Sequence, residues 1–127
     1  MNREFFEHIC SFAGLEKNVN NMFIEKTSSI AFSLESDGIH ILGRMNNELL
    51  SLINNEISIG VDDNIKQLDN NKQDYRIVEL KLTAPTIMGS VNLLSIIEII
   101  KKYYLDIKRN DIKNYYQKIY TKERLKK

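Results

Sequence analysis

The chain has no tryptophan, a single proline (Pro85), a single cysteine (Cys10) and five scattered glycines among its 127 residues. Each scarcity excludes something. One cysteine cannot close an internal disulfide, so the expected home is a reducing compartment, the cytoplasm. Scattered glycines provide no phosphate-cradling loop, and neither CxxC nor HxxxH is present to ligate a metal. The two histidines are equally unpromising. His8 and Cys10 stand two apart on a helical segment, which sends them to different faces, so no base sits beside the thiol. His40 lies on a strand opposite Ile39 and Ile41 and reads as a surface imidazole. The most apolar run, VNLLSIIEII at positions 91–100, is about half a bilayer span and contains Glu98. The opening MNREFFEHICSF places Glu4, Glu7 and His8 where a signal peptide would be apolar, so no export signal is expected. These absences predict a non-enzyme without cofactor, metal or membrane contact.

What remains is ordinary folding material. A composition of 43% hydrophobic and 28% charged residues suits a globular protein, and the length suits one core. The net charge of +1 is unevenly distributed: from Lys101 onward ten lysines and arginines face three acids, giving +7, which leaves −6 on residues 1–100. Residues 1–109 are expected to form one α+β domain, with 110–127 as its basic helical extension.

Periodicity supplies the elements. Phe5, Ile9 and Phe12, flanked by Phe6 and Ala13, have the spacing of an amphipathic helix, closed by Gly14 and Leu15. Met22–Glu25 suits a short edge strand after the polar linker EKNVNN. Ile30, Phe32 and Leu34 alternate with smaller or polar residues, and Ser36, Asp37 and Gly38 provide hairpin chemistry before Ile39 and Ile41 return. Asn46 and Asn47 mark a weaker turn, followed at 49–53 by a strand or a short helix. EISIGV at 56–61 reads as a strand, and a helical turn is expected around Ile65 and Leu68. Tyr75–Thr83 alternates again and is stopped by Pro85. A wide stripe of Leu93, Ile96, Ile97, Ile100, Tyr104 and Ile107 then predicts a long helix capped by Ser90. Asn110 and Asp111 are placed to end it and start another. The predicted class is α+β: an antiparallel sheet of about five strands flanked by an N-terminal and a long C-terminal helix.

Two charged patterns bear on chemistry. Asp62 or Asp63, with Glu79 and Lys81 as E-L-K on a strand, resembles the metal and lysine set of the PD-(D/E)xK nucleases, although Val61 replaces their proline. An alternating charged pair on the wet face of a half-buried strand has the same appearance, and that reading is preferred. In the tail, lysines interleaved with Tyr103, Tyr104, Tyr115, Tyr116 and Tyr120 suggest base stacking and phosphate neutralisation. Tyrosines covering a core under a solvated lysine face account for the spacing more simply, and the acidic body argues against nucleic acid.

The order of segments resembles the class I type III secretion chaperones, in particular the invasion-associated (surface presentation of antigens) branch. The likeness runs through SSIAFSLESDGIHI, the turn RMNNE, then YRIVELKLT and SVNLLSIIEIIKKYY, and covers most of residues 1–107. It implies a homodimer that holds the N-terminal segment of a secreted effector in extended form, soluble and export-competent, without ATP. Phe5, Ile9, Phe32, Leu34, Ile39 and Ile41 are then the candidates for core or groove, a choice that periodicity leaves open. The alternative is an immunity protein whose acidic body neutralises a basic toxin. A metal-dependent nuclease comes third.

Overall fold

The computed structural model describes residues 2–56, 65–67, 76–82 and 86–125. In chain order the elements are α1 (Arg3–Phe12), β1 (Glu16–Lys17), β2 (Phe23–Ile24), β3 (Ala31–Glu35), β4 (Gly38–Met45), α2 (Asn47–Glu56), β5 (Ile65–Gln67), β6 (Arg76–Leu82) and α3 (Thr86–Leu125). The described strands form one sheet in the order β1-β2-β3-β4-β6-β5, antiparallel at every step. The α+β class and the flanking helices agree with the sequence reading.

The register explains the core. Phe23 pairs with Phe32, Phe32 with Ile41, and Ile41 with Leu80. Directly opposed residues share a sheet face, so these four build one transverse apolar row, and all are buried. Helix α1 adds Phe6, Ile9 and Cys10, α2 adds Leu49, Leu50 and Ile53, and α3 adds Leu93, Ile96, Ile97 and Ile100 to the same cluster. Phe6 meets Phe23 edge to face, with centroids 5.8 Å apart, which ties α1 to the sheet.

Local chemistry sets the boundaries. The Asn2 side chain accepts from the Phe5 amide at 2.8 Å and caps α1. Gly14, at φ +83°, turns the chain so that the Leu15 amide donates to the Cys10 carbonyl at 3.0 Å, the helix-ending arrangement that the glycine suggested. Asn46 caps α2 by accepting from the Leu49 amide at 2.8 Å, so its turn signal is spent on starting a helix. Segment 49–53 is therefore helical.

Several expectations are corrected. The inward face of α1 is Phe6, Ile9 and Cys10, whereas Phe5 and Phe12 point outward. Strand β2 is interior to the sheet, and the edge is β1, within the stretch read as a linker. Around Ile65 the chain is extended as β5 instead of helical. Helix α3 starts at Thr86, which leaves Ser90 inside it, and passes through Asn110 and Asp111 without a break. Of the strand expected from EISIGV, Glu56 instead closes α2 and 57–61 lie outside the described residues, as does the stop at Pro85.

Candidate partner-binding surface

Of the six candidates, Ile9, Phe32, Ile39 and Ile41 are interior members of the core cluster. Of the core-or-groove choice that periodicity left open, these four fall to the core. Leu34 is partly buried against the core, and Phe5 is 42% exposed. On α1, Phe5 and Phe12 stand seven residues apart with His8 between them, all three exposed, so they run as one ridge along the outward side. Phe12 is 80% exposed, a large apolar area for a side chain with a packed core one turn away. Sequence spacing missed this division because Phe5-Ile9-Phe12 and Phe6-Ile9-Ala13 are overlapping stripes of equal quality.

The ridge is held firmly. Beside it Glu7 receives Lys17 at 2.9 Å and Arg3 at 3.5 Å, and those cations keep its carboxyl below the usual range, led by the Lys17 bond. At the far end of the helix the Lys101 ammonium donates to the Ala13 carbonyl, which fastens α1 to α3. Beneath the ridge the Cys10 thiol is pushed up to about 12, chiefly by burial and secondarily by the charge of Glu7. It is core filler, not a nucleophile.

On the other sheet face His40 departs from its expected role as a surface imidazole. Its Nδ1 lies 2.6 Å from Glu79 Oε1 and its Nε2 2.6 Å from Asp37 Oδ1. A protonated ring donates to both carboxylates at once. Partial burial opposes that charge, but the bonds to Asp37 and Glu79, with their negative charges, outweigh it and raise His40 above the ordinary histidine value. Glu79 is diagonal to His40 across the β4–β6 pair, where the residue directly opposite His40 is Lys81. Thus Glu79 of the nuclease reading is bonded to an imidazole that the reading did not include, while Asp62 and Asp63 lie outside the described residues. Among those described, no group of three or more His, Cys, Asp or Glu side chains is disposed to hold a metal ion.

The tail also differs from expectation. Tyr103 and Tyr104 do pack on the body: the Tyr103 hydroxyl accepts from Asn46 Nδ2 at 2.6 Å, and Tyr104 donates to the Arg44 carbonyl at 3.2 Å. Tyr115 and Tyr116, which were read as core cover, are exposed. No described helix is long and apolar enough to cross a membrane. Comparisons with known protein families, with curated proteins and with solved structures return no match.

Proposed function

We propose that the protein is a non-catalytic binder of another polypeptide. On the resemblance of its segment order, it acts as a cytoplasmic type III secretion chaperone that holds an effector segment without ATP. The observation that carries this reading is the α1 ridge: two phenylalanines turned to solvent on a rigidly fastened helix whose opposite face is fully used by the core. Aromatic side chains at such positions contribute the largest share of binding energy in protein interfaces. Phe5 remains from the original groove candidates, and Phe12 joins it. An extended client lying across α1 would place apolar side chains over both rings, with the Glu7–Lys17 pair at the rim fixing its polar backbone.

The experiment is co-expression with the product of the adjacent open reading frame. A soluble complex of fixed stoichiometry is expected, and Phe5→Asp with Phe12→Asp abolishes it while leaving the circular dichroism and melting of the lone protein unchanged. Complex formation that ignores both substitutions, or metal-dependent DNA cleavage by the purified chain that is lost in Glu79→Ala, overturns the reading. A partner that is a toxin inhibited on binding would transfer the same surface to the immunity function.

A further inference from the structure

Helix α3 has a different neighbour on each flank. Lys101 reaches Ala13 of α1, whereas Ile99, Tyr103 and Asp106, spaced three and four residues apart on one helical side, point roughly half a turn away from Lys101 and toward α2. Across from them α2 presents Glu48, Leu52 and Glu56, each four residues from the next, on the flank beside its core residues Leu49 and Ile53. Between the two helices runs a groove of about 510 Å³. At 1.5 Å per residue it follows α2 for about 12 Å and α3, from Ile99 to Asn110, for about 16 Å, or two to three helical turns. The floor is apolar: Leu52 is 44% exposed, and Ile99, Tyr103 and Ile107 are half-buried. The rim is acidic. Glu48, Glu56 and Asp106 are exposed, and among the described residues Lys102 is the one cation lining the groove and none of the three carboxylates has an ion-pair partner. The Tyr103 hydroxyl, which accepts from Asn46 at 2.6 Å, donates a long bond to Glu48 at 3.4 Å and keeps that carboxylate at the groove's end.

We propose that this groove docks an amphipathic helix of a partner protein, whose apolar stripe inserts between α2 and α3 and whose stripe is bordered on both sides by lysine or arginine. Backbone chemistry selects the helix. Both walls are helices whose amides and carbonyls bond internally, so neither offers a sheet edge for an extended peptide to join, whereas a helix arrives with its own backbone satisfied. Charge selects the basic borders. Three carboxylates opposed by one ammonium attract cations along both walls and disfavour a helix with acidic flanks. The same charges disfavour a second copy of the chain, since a two-fold pairing through this face would set Glu48, Glu56 and Asp106 against their own counterparts. Because α1 and the groove lie on opposite flanks of α3, this site is separate from the phenylalanine ridge and does not rest on the chaperone reading.

The test uses the full-length chain and a synthetic probe, a fluorescein-labelled peptide of about 14 residues with leucine at helical spacing and lysine on the borders, too short to be stably helical alone. Titration followed by fluorescence anisotropy shows saturable binding in the micromolar range, and circular dichroism shows the peptide gaining helix in the complex. Glu56→Lys combined with Asp106→Lys weakens binding by about tenfold or more, because two exposed attractions become repulsions. Both side chains are exposed, so the fold is retained. Glu98→Lys, the same reversal outside the groove, and Phe5→Asp with Phe12→Asp each leave the affinity within about twofold. Amide chemical shifts of the wild-type chain, which need no variant, move at Leu52, Ile99 and Tyr103. No binding at up to about 1 mM peptide, equal binding of a scrambled peptide or of one with glutamate in place of lysine, or indifference to the double reversal overturns the inference. Self-association of the chain that the double reversal removes overturns it too, by making a second copy the occupant. Peptide binding that persists while the adjacent gene's product fails to bind strikes the proposed function alone.

Discussion

Replacing Gly43 by alanine tests the packing at the centre of the fold. Gly43 occupies an inward position on β4 between Ile41 and Met45, opposite Val78 of β6. A Cβ built there falls 2.7 Å from Ile30 Cγ1, 3.1 Å from Ile30 Cα and 3.3 Å from Ile30 Cβ. Ile30 is fully buried, so its side chain has nowhere to go, and its Cα is main chain. Two effects compete. Alanine should gain about 0.5–1 kcal/mol in a strand because it restricts the unfolded chain, whereas forcing a methyl group into a filled core costs about 1–3 kcal/mol. Overpacking wins at contacts below 3 Å, with a net loss near ~1.5 kcal/mol, or roughly 5–8 °C of melting temperature in a 127-residue domain. Thermal unfolding by circular dichroism reads it. Ile30→Ala on its own leaves a cavity costing about 2–5 kcal/mol, but it removes the atom in the way, so the double variant should recover about 1–2 kcal/mol relative to the sum of the singles. A Gly43→Ala protein that melts at or above wild type, or strict additivity in the cycle, would refute the close approach of β4 to Ile30.

Two further outcomes follow from the titratable groups. His40 has a folded value raised above its ordinary 6.5 by Asp37 and Glu79, so its protonated form binds these carboxylates more tightly in the native state. Its contribution to stability is fully present below about pH 6.5 and is lost as pH rises through the higher folded value; denaturant melts across that window should show the decline in wild type and a flatter profile in His40→Gln. Cys10, with a thiol pushed up to about 12, should resist Ellman's reagent at pH 8 in the native protein and react fully once unfolded; fast labelling of the folded chain would contradict its burial.

The parts of the fold legible in sequence are those where one local rule acts alone. Alternation in 30–34 and 76–82 and the Gly14 stop translate directly into β3, β6 and the end of α1, and the Ser36-Asp37-Gly38 signal gives the hairpin, with the turn at Ser36 and Asp37 and Gly38 already in β4 opposite Glu35. Strand β1 escaped because two charged residues carry no period, and it exists only because β2 is beside it. Helix α3 runs through Asn110 and Asp111 because each costs a helix only about 0.5 kcal/mol, and no glycine or proline follows to stop it. The surface was harder to read than the fold. Alternation reveals which side of Phe32 or Ile41 is apolar but not that helices cover it, so core and groove stayed equally open for these residues. Phe12 passed for core because a neighbouring stripe scored equally well.

The outermost strand deserves one last deduction. Glu16 and Lys17 end the sheet after two residues, with Glu16 engaged by Lys26 at 2.7 Å and Lys17 by Glu7 at 2.9 Å. So brief and charged a border gives a stray peptide almost no ladder to zip onto. At this margin the native protein should neither seed fibrils nor recruit unfolded neighbours, a useful trait in a molecule that exposes Phe12 four residues before the same border.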